Sequence, residues 1–150
     1  MRRAIELARE GVSDGIGGPF GAVIARDGII IGEGANRVTA TNDPTAHAEV
    51  VAIRNACREI GSFQLDGCVI YASSEPCPMC LGAIYWARPE RLYIACTRDD
   101  AAKAGFDDAF IYEEINRELA DRRVPVEGLL RDEGLEVFRE WVASPNKIEY

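Results

Sequence analysis

Ser74-Glu75-Pro76-Cys77-Pro78-Met79-Cys80 is the stretch of sequence that decides how this chain is interpreted. Its two thiols, Cys77 and Cys80, are separated by two residues, and the prolines around them favour the start of a helix. Residues at this spacing lie on one face of a helix, and the positive end of the helix dipole stabilises thiolates there. The stretch therefore predicts two ligands of a metal site.

The third ligand is expected from His47-Ala48-Glu49, because His47 is the only histidine in the chain. Three protein ligands and one open position are typical of catalytic zinc, whereas structural zinc is closed by four. We expect His47, Cys77 and Cys80 to bind one zinc ion per chain and Glu49 to move protons. Zinc lowers the pKa of a bound water toward ~7, and that water can then attack a ring carbon that carries an amino group.

Each motif also has a simpler explanation. Cys-x-x-Cys is often a structural zinc or redox motif, and a single histidine is usually part of a core. A binding module with structural zinc needs a fourth ligand, and Glu49 is the candidate for it. The occurrence of both motifs at predicted helix starts favours the catalytic interpretation.

Length and composition limit the class of protein. With 150 residues, the chain is expected to form one domain over residues 1–150. The net charge of -8 argues against a nucleic-acid partner, and no apolar run approaches the ~20 residues of a membrane span. The cysteines number five, and Cys57, Cys68 and Cys96 lie in apolar segments. This pattern favours a reduced, cytoplasmic protein.

The hydrophobic pattern predicts strands that alternate with helices. We expect helices over residues 1–15, from Pro44 to residue 60 and over 76–87, and strands over 20–25, 29–32, 68–72 and 91–96. The second strand is expected to end near residues 34–38. Weaker signals predict a charged helix near 111–119, an edge strand over 124–129 and a terminal helix around 138–142. This alternation predicts a layered α/β domain.

Several segments together resemble the cytidine deaminase-like superfamily, and within it the bacterial guanine deaminases. The segments are Gly15-Ile16-Gly17-Gly18-Pro19-Phe20-Gly21-Ala22, Asn42-Asp43-Pro44-Thr45-Ala46-His47-Ala48-Glu49, Glu75-Pro76-Cys77-Pro78-Met79-Cys80, Ala83-Ile84-Tyr85-Trp86-Ala87-Arg88-Pro89, Ala104-Gly105-Phe106-Asp107-Asp108 and Lys147-Ile148-Glu149-Tyr150. The zinc motifs are common to the superfamily, and the last two segments resemble the guanine branch. The resemblance implies a three-layer α/β/α fold with a central mixed five-stranded sheet.

The resemblance also implies an activity, namely the hydrolysis of guanine at C2 to xanthine and ammonia. Phe20 would stack on the purine, Asn36 would hydrogen-bond to it, and Asp108 would accept from its ring N–H groups, with Asp107 as the alternative. Family members are homodimers that exchange C-terminal segments, so Tyr150 would close the site of the partner.

The zinc motifs alone leave the substrate open. Other members of the superfamily deaminate cytosine, cytidine or adenosine in transfer RNA, and a triazine such as ammeline presents a similar amino-substituted ring. A transfer RNA substrate is disfavoured by the net charge of -8. We therefore expect a small nucleobase as the partner, and neither nucleic acid nor membrane.

Overall fold

A computed structural model describes residues 1–149 of the chain. The chain divides into two compact units, Met1–Ile111 and Tyr112–Tyr150. Among the helices of residues 1–149, none combines the length and the apolar character needed to cross a membrane.

The first unit is built on a mixed sheet of four strands in the order β2-β1-β3-β4. The strands are β1 (Gly21–Arg26), β2 (Ile29–Ala35), β3 (Cys68–Ser74) and β4 (Arg91–Cys96). β1 pairs antiparallel with β2 and β3, and β3 pairs parallel with β4. Asp27 and Gly28 both have positive φ (51° and 78°), as a tight two-residue hairpin turn requires. The predicted hairpin and mixed sheet are therefore confirmed.

Helices cover both faces of this sheet, which confirms the three-layer α/β/α expectation. Helix α1 (Arg2–Ser13) buries Ala4 and Leu7 against Val23 on one face. Helices α3 (Ala48–Ile60) and α4 (Pro78–Ala87) cover the other face, where they pack on Ala22 and Ile24. Successive side chains of β1 thus point to opposite layers, as they must in a strand.

The helix that carries His47 begins later than the sequence predicted. It begins at Ala48 rather than at Pro44, and His47 is its N-cap residue. Asp43 accepts hydrogen bonds from the backbone N–H and the hydroxyl of Thr45 at 2.8 and 2.7 Å. This Asx turn holds Pro44 in a loop instead of a first helical turn.

A short helix also replaces the predicted end of the second strand. β2 ends at Ala35, and α2 (Val38–Thr41) follows it. The left-handed conformation of Asn42 (φ 51°) ends α2.

The predicted fifth strand is wrong, because residues 124–129 form no strand in the described chain. Pro125 cannot donate to a ladder, and Gly128 weakens a strand further. After β4, the remaining elements are all helical: α5 (Arg98–Lys103), α6 (Ala109–Ile115), a 3-10 turn at Leu119–Asp121 and α7 (Arg131–Ala143). The terminal helix is therefore confirmed, and the charged helix is shorter than predicted.

Close packing of β2 on α3 sets the position of the helix that begins next to His47. A Cβ atom added to Gly34 would meet the backbone oxygen of Ala48 and would lie 2.6 Å from the backbone nitrogen of Ala52. Both are main-chain atoms of α3, so the clash is relieved only if the main chain of α3 or of β2 moves. Gly34 and Gly32, which faces α3 in the same way, therefore let the helix approach the sheet.

Gly34→Ala is expected to lower the free energy of unfolding by about 2–3 kcal/mol, because overpacking displaces α3. Chemical denaturation of the zinc-loaded protein measures the change. Gly82→Ala is the matched control, since nothing lies within 4 Å of a Cβ at that helical position. Equal stability of the Gly34→Ala and Gly82→Ala variants would contradict this account of the packing.

Candidate active site

His47 and Cys77 occupy equivalent positions at the starts of two helices. Each is an N-cap residue with extended backbone, with φ -70° and ψ 154° at His47 and φ -65° and ψ 168° at Cys77. Neither side chain accepts a capping hydrogen bond from its helix. Pro78 begins α4, and Cys80 follows in its first turn. The two helix starts therefore leave the imidazole and both thiols available to a ligand.

The three predicted metal ligands come together in space. Nδ1 of His47 lies 3.5 Å from Sγ of Cys77 and 3.4 Å from Sγ of Cys80, and the ligand atoms all lie within 4.8 Å of one another. Zn–S and Zn–N bonds of ~2.3 and ~2.0–2.1 Å at tetrahedral angles separate sulfur and nitrogen by about 3.5 Å. The donor set and its spacing therefore fit zinc.

The side chains of the cluster share protons through hydrogen bonds, and each changes the pKa of its neighbours. The hydrogen bond with Cys80 is the main reason that the pKa of Cys77 is lowered to about 4, and His47 lowers it further. The same bond and burial raise the pKa of Cys80. The hydrogen bond with Cys77 raises the pKa of His47. A zinc ion replaces these shared protons, because it binds thiolates and neutral imidazole.

Glu49 lies beside this cluster in the first turn of α3 and is only 6% exposed. Burial is the main reason that its pKa is raised. In residues 1–149, the group of ligand atoms close enough to hold an ion comprises His47, Cys77 and Cys80, without Glu49. The position of Glu49 therefore agrees with a carboxyl group outside the metal shell, and its catalytic role stays a prediction.

A cavity of about 390 Å³ opens over the cluster. Its lining includes the predicted residues Phe20, Asn36, His47, Glu49, Cys77 and Asp108. Cys80 is fully buried and does not reach the cavity. Tyr150, which the resemblance placed over the partner's site, lies outside the described residues. The structure thus brings together the sequence-predicted residues that it describes.

Asn36 is held in one orientation. It is 6% exposed, and its Oδ1 accepts backbone N–H groups from Gly18 at 3.2 Å and Val38 at 3.3 Å. Because the oxygen is engaged by the backbone, Nδ2 is the group that Asn36 can offer to a ligand.

Two neighbouring aspartates line the cavity in different ways. Oδ1 of Asp107 accepts the backbone N–H of Ala109 at 2.9 Å, so this carboxylate is partly used within its own loop. Asp108 is half-buried, and burial, followed by the nearby Cys77 thiolate, raises the pKa of its carboxyl group. Asp108 is therefore the better placed of the two to meet a buried ligand.

Several further lining residues were not assigned a role from the sequence. They are Thr39, Glu75, Arg98, Phe106 and Phe110. Four of them lie outside the metal-binding motifs and reach the cavity through long-range packing. Glu75, in contrast, lies in the predicted metal-binding stretch, two residues before Cys77. Phe106 was visible only as part of the Gly105-Phe106-Asp107-Asp108 segment.

Comparison with known proteins gives consistent results. The family model described as the cytidine and deoxycytidylate deaminase zinc-binding region matches residues 1–96. Guanine deaminase of Bacillus subtilis (strain 168) is 57% identical over 150 residues, which is 100% of this chain and 96% of that protein. The X-ray structure of guanine deaminase from Bacillus subtilis superposes with a TM-score of 0.97, at 58% identity, over 99% of this chain and 95% of that chain.

A more distant relative matches half of the chain. The tRNA-specific adenosine deaminase of Agrobacterium fabrum is 48% identical over 75 residues, which is 50% of this chain and 49% of that protein.

The three candidate metal ligands lie within the region that the family model matches. His47, Cys77 and Cys80 lie inside the matched region, and their ligand atoms are positioned to bind a metal. Zinc is accordingly the cofactor of this fold, and the chain belongs to the cytidine and deoxycytidylate deaminase zinc-binding family.

Proposed function

We propose that this chain hydrolyses guanine at C2 to give xanthine and ammonia. The observation that carries the proposal is the cavity in which a buried carboxyl group, Glu49, lies beside the three zinc ligands. Similarity to a guanine deaminase over the whole chain supports guanine as the substrate.

Zinc, held by His47, Cys77 and Cys80, supplies a Lewis acid that makes water a nucleophile near neutral pH. Glu49 takes one proton from the water as the water oxygen bonds to C2, and it delivers that proton to the adjacent ring nitrogen. It then moves the second proton from the new C2 hydroxyl to the amino group, so that the C2–N bond breaks, ammonia leaves and the C2 carbonyl of xanthine forms. Burial of Glu49 excludes bulk water from these transfers.

The walls of the cavity orient the base. Phe20 stacks on the purine plane, and Nδ2 of Asn36 donates to an acceptor on the base, because backbone amides hold Oδ1. Asp108 accepts from ring N–H groups, and its half-buried position supports it over Asp107. Together these contacts place C2 toward Glu49.

The chain acts as one catalytic domain in a cytoplasmic homodimer, and the C-terminal segment passes to the partner. Unit Tyr112–Tyr150 supports an exchanged segment, because its large apolar side chains remain exposed: Leu129 (85%), Phe138 (69%), Trp141 (43%) and Val142 (69%). Tyr150 then closes the site of the other protomer. Five free cysteines support a reducing compartment.

A screen for ammonia release tests the function. Guanine, adenine, cytosine, cytidine, ammeline and a transfer RNA anticodon stem-loop are each incubated with the zinc-loaded protein. We expect guanine to have the highest kcat/KM and the RNA to be inert, because a net charge of -8 opposes phosphate binding. Deamination of the RNA without deamination of guanine would reverse the assignment and favour the activity of the tRNA-specific adenosine deaminase that matches half of the chain.

A further inference from the structure

Phe106 lines the cavity, yet the proposed chemistry does not use it. Its ring packs edge to face against Phe20, with centroids 4.9 Å apart and planes 85° apart. The residue is 44% exposed and lines the cavity. An exposed aromatic ring in the lining of a pocket is available to a planar ligand.

Backbone hydrogen bonds at the end of α5 fix the position of Phe106. Gly105 has φ 93°, a backbone conformation that residues with a side chain rarely adopt. The N–H groups of Gly105 and Phe106 donate to Ala102 and Ala101 at 2.9 and 3.0 Å and so end the helix. Phe106 is therefore placed by hydrogen-bonded main chain and not by a loose loop.

The start of α5 is tied to the loop that carries the metal ligands. The carboxylate of Glu75 accepts the backbone N–H of Arg98 at 3.0 Å, and the backbone N–H of Glu75 donates to Cys96 at 2.9 Å. Thr97 and Asp100 form a capping box at the same helix start. These hydrogen bonds thus connect the part of the cavity wall that carries Phe106 to the loop that precedes Cys77.

Gly18 provides the space for the two rings to meet. A Cβ atom at Gly18 would lie 3.2 Å from the Phe20 ring and 3.3 Å from the Phe106 ring. Most real Cβ contacts are longer than these, so a larger residue would push the rings apart. The close approach of Phe20 and Phe106 therefore depends on Gly18 and on the end of α5.

We propose that Phe106 is a specificity-determining residue that works with Phe20 as a single right-angled corner. A planar base that lies parallel to one ring is perpendicular to the other, so the pair fixes both its stacking and its lateral position. The inference rests on the proposed function, because it takes a free purine as the ligand. Phe106 thereby sets how far C2 lies from Glu49 and selects flat, unextended bases.

Steady-state kinetics on guanine with Phe106→Ala, Phe106→Leu and Phe106→Tyr test the residue. We expect kcat/KM to fall about tenfold for Ala and by less for Leu, and Tyr to retain activity because it keeps the ring. Zinc content should stay at one ion per chain in all three variants. Phe63→Ala is the matched control, since Phe63 is similarly exposed (54%) but does not line the cavity.

A double-variant cycle with Phe20→Ala tests the corner. Because contacting residues couple, the Phe20→Ala/Phe106→Ala double variant should lose little more kcat/KM than the worse single variant. Additive losses, or an unaffected Phe106→Ala variant in an otherwise active protein, would overturn this inference alone. An unmodified protein that releases no ammonia from guanine would overturn the proposed function and the inference with it.

Discussion

Glu49→Gln is expected to abolish guanine turnover while zinc stays bound. The amide has nearly the same shape as the carboxylate but cannot accept and return a proton. General acid–base catalysis contributes ~10²–10⁴-fold, and Glu49 is proposed to act in more than one transfer, so kcat should fall by at least about 10³-fold. Steady-state kinetics and metal analysis of the same preparation provide the measurement.

Retention of zinc is the informative half of this result. The metal-sized cluster contains His47, Cys77 and Cys80 without Glu49, so the substitution removes no ligand. Glu59→Gln, an exposed change on the same helix, is the matched control and should behave as the unmodified protein. Zinc lost together with activity in Glu49→Gln would instead make Glu49 a fourth ligand and favour a structural-zinc module.

Regular elements with strong local signals were predictable from the sequence. β4 has the predicted bounds, Arg91–Cys96, and α4 ends at Ala87 as expected. The ends of an apolar run between strand-breaking residues, or of a helix that stops at Arg88-Pro89, are marked by the local sequence itself. Such segments need little information from the rest of the chain.

The errors arise where side chains or distant strands decide the backbone. The start of α3 was misplaced because the Asp43 carboxylate binds Thr45 and forms a turn that competes with the helix. The fifth strand was predicted wrongly because the apolar and branched residues of 124–129 suggest a strand, whereas a strand also requires a neighbour for its backbone hydrogen bonds. Local composition does not reveal whether that neighbour exists.

The candidate site divides in the same way. His47, Cys77, Cys80 and Glu49 were identifiable because their chemistry depends on spacing within two short motifs. Phe106 was given no role from the sequence, because its proposed role depends on contact with Phe20, which is distant in sequence. The two ring centroids lie 4.9 Å apart in the structure. Motifs therefore identify the reaction, and packing determines which molecule can undergo it.

Cys80→Ser is expected to remove the zinc ion and, with it, the activity. Cys80 is fully buried, and its sulfur lies 3.4 Å from Nδ1 of His47, where a zinc ligand is required. A serine hydroxyl reaches less far than a thiol and is a much weaker zinc ligand. Without the metal the water keeps its ordinary pKa, and kcat should fall by at least about 10³-fold. Metal analysis after dialysis should find less than one ion per chain.

The same substitution should also lower thermal stability, because zinc binds the folded chain and joins the starts of α3 and α4. Cys96→Ser is the matched control, since Cys96 is exposed and lies outside the group of residues positioned to hold the ion. Added zinc should raise the Tm of the control and of Glu49→Gln, but not that of Cys80→Ser. Full zinc occupancy and normal turnover in Cys80→Ser would contradict the three-ligand site. Zinc that is lost from Cys80→Ser but kept by Glu49→Gln would separate the residues that hold the metal from the residue that moves the proton.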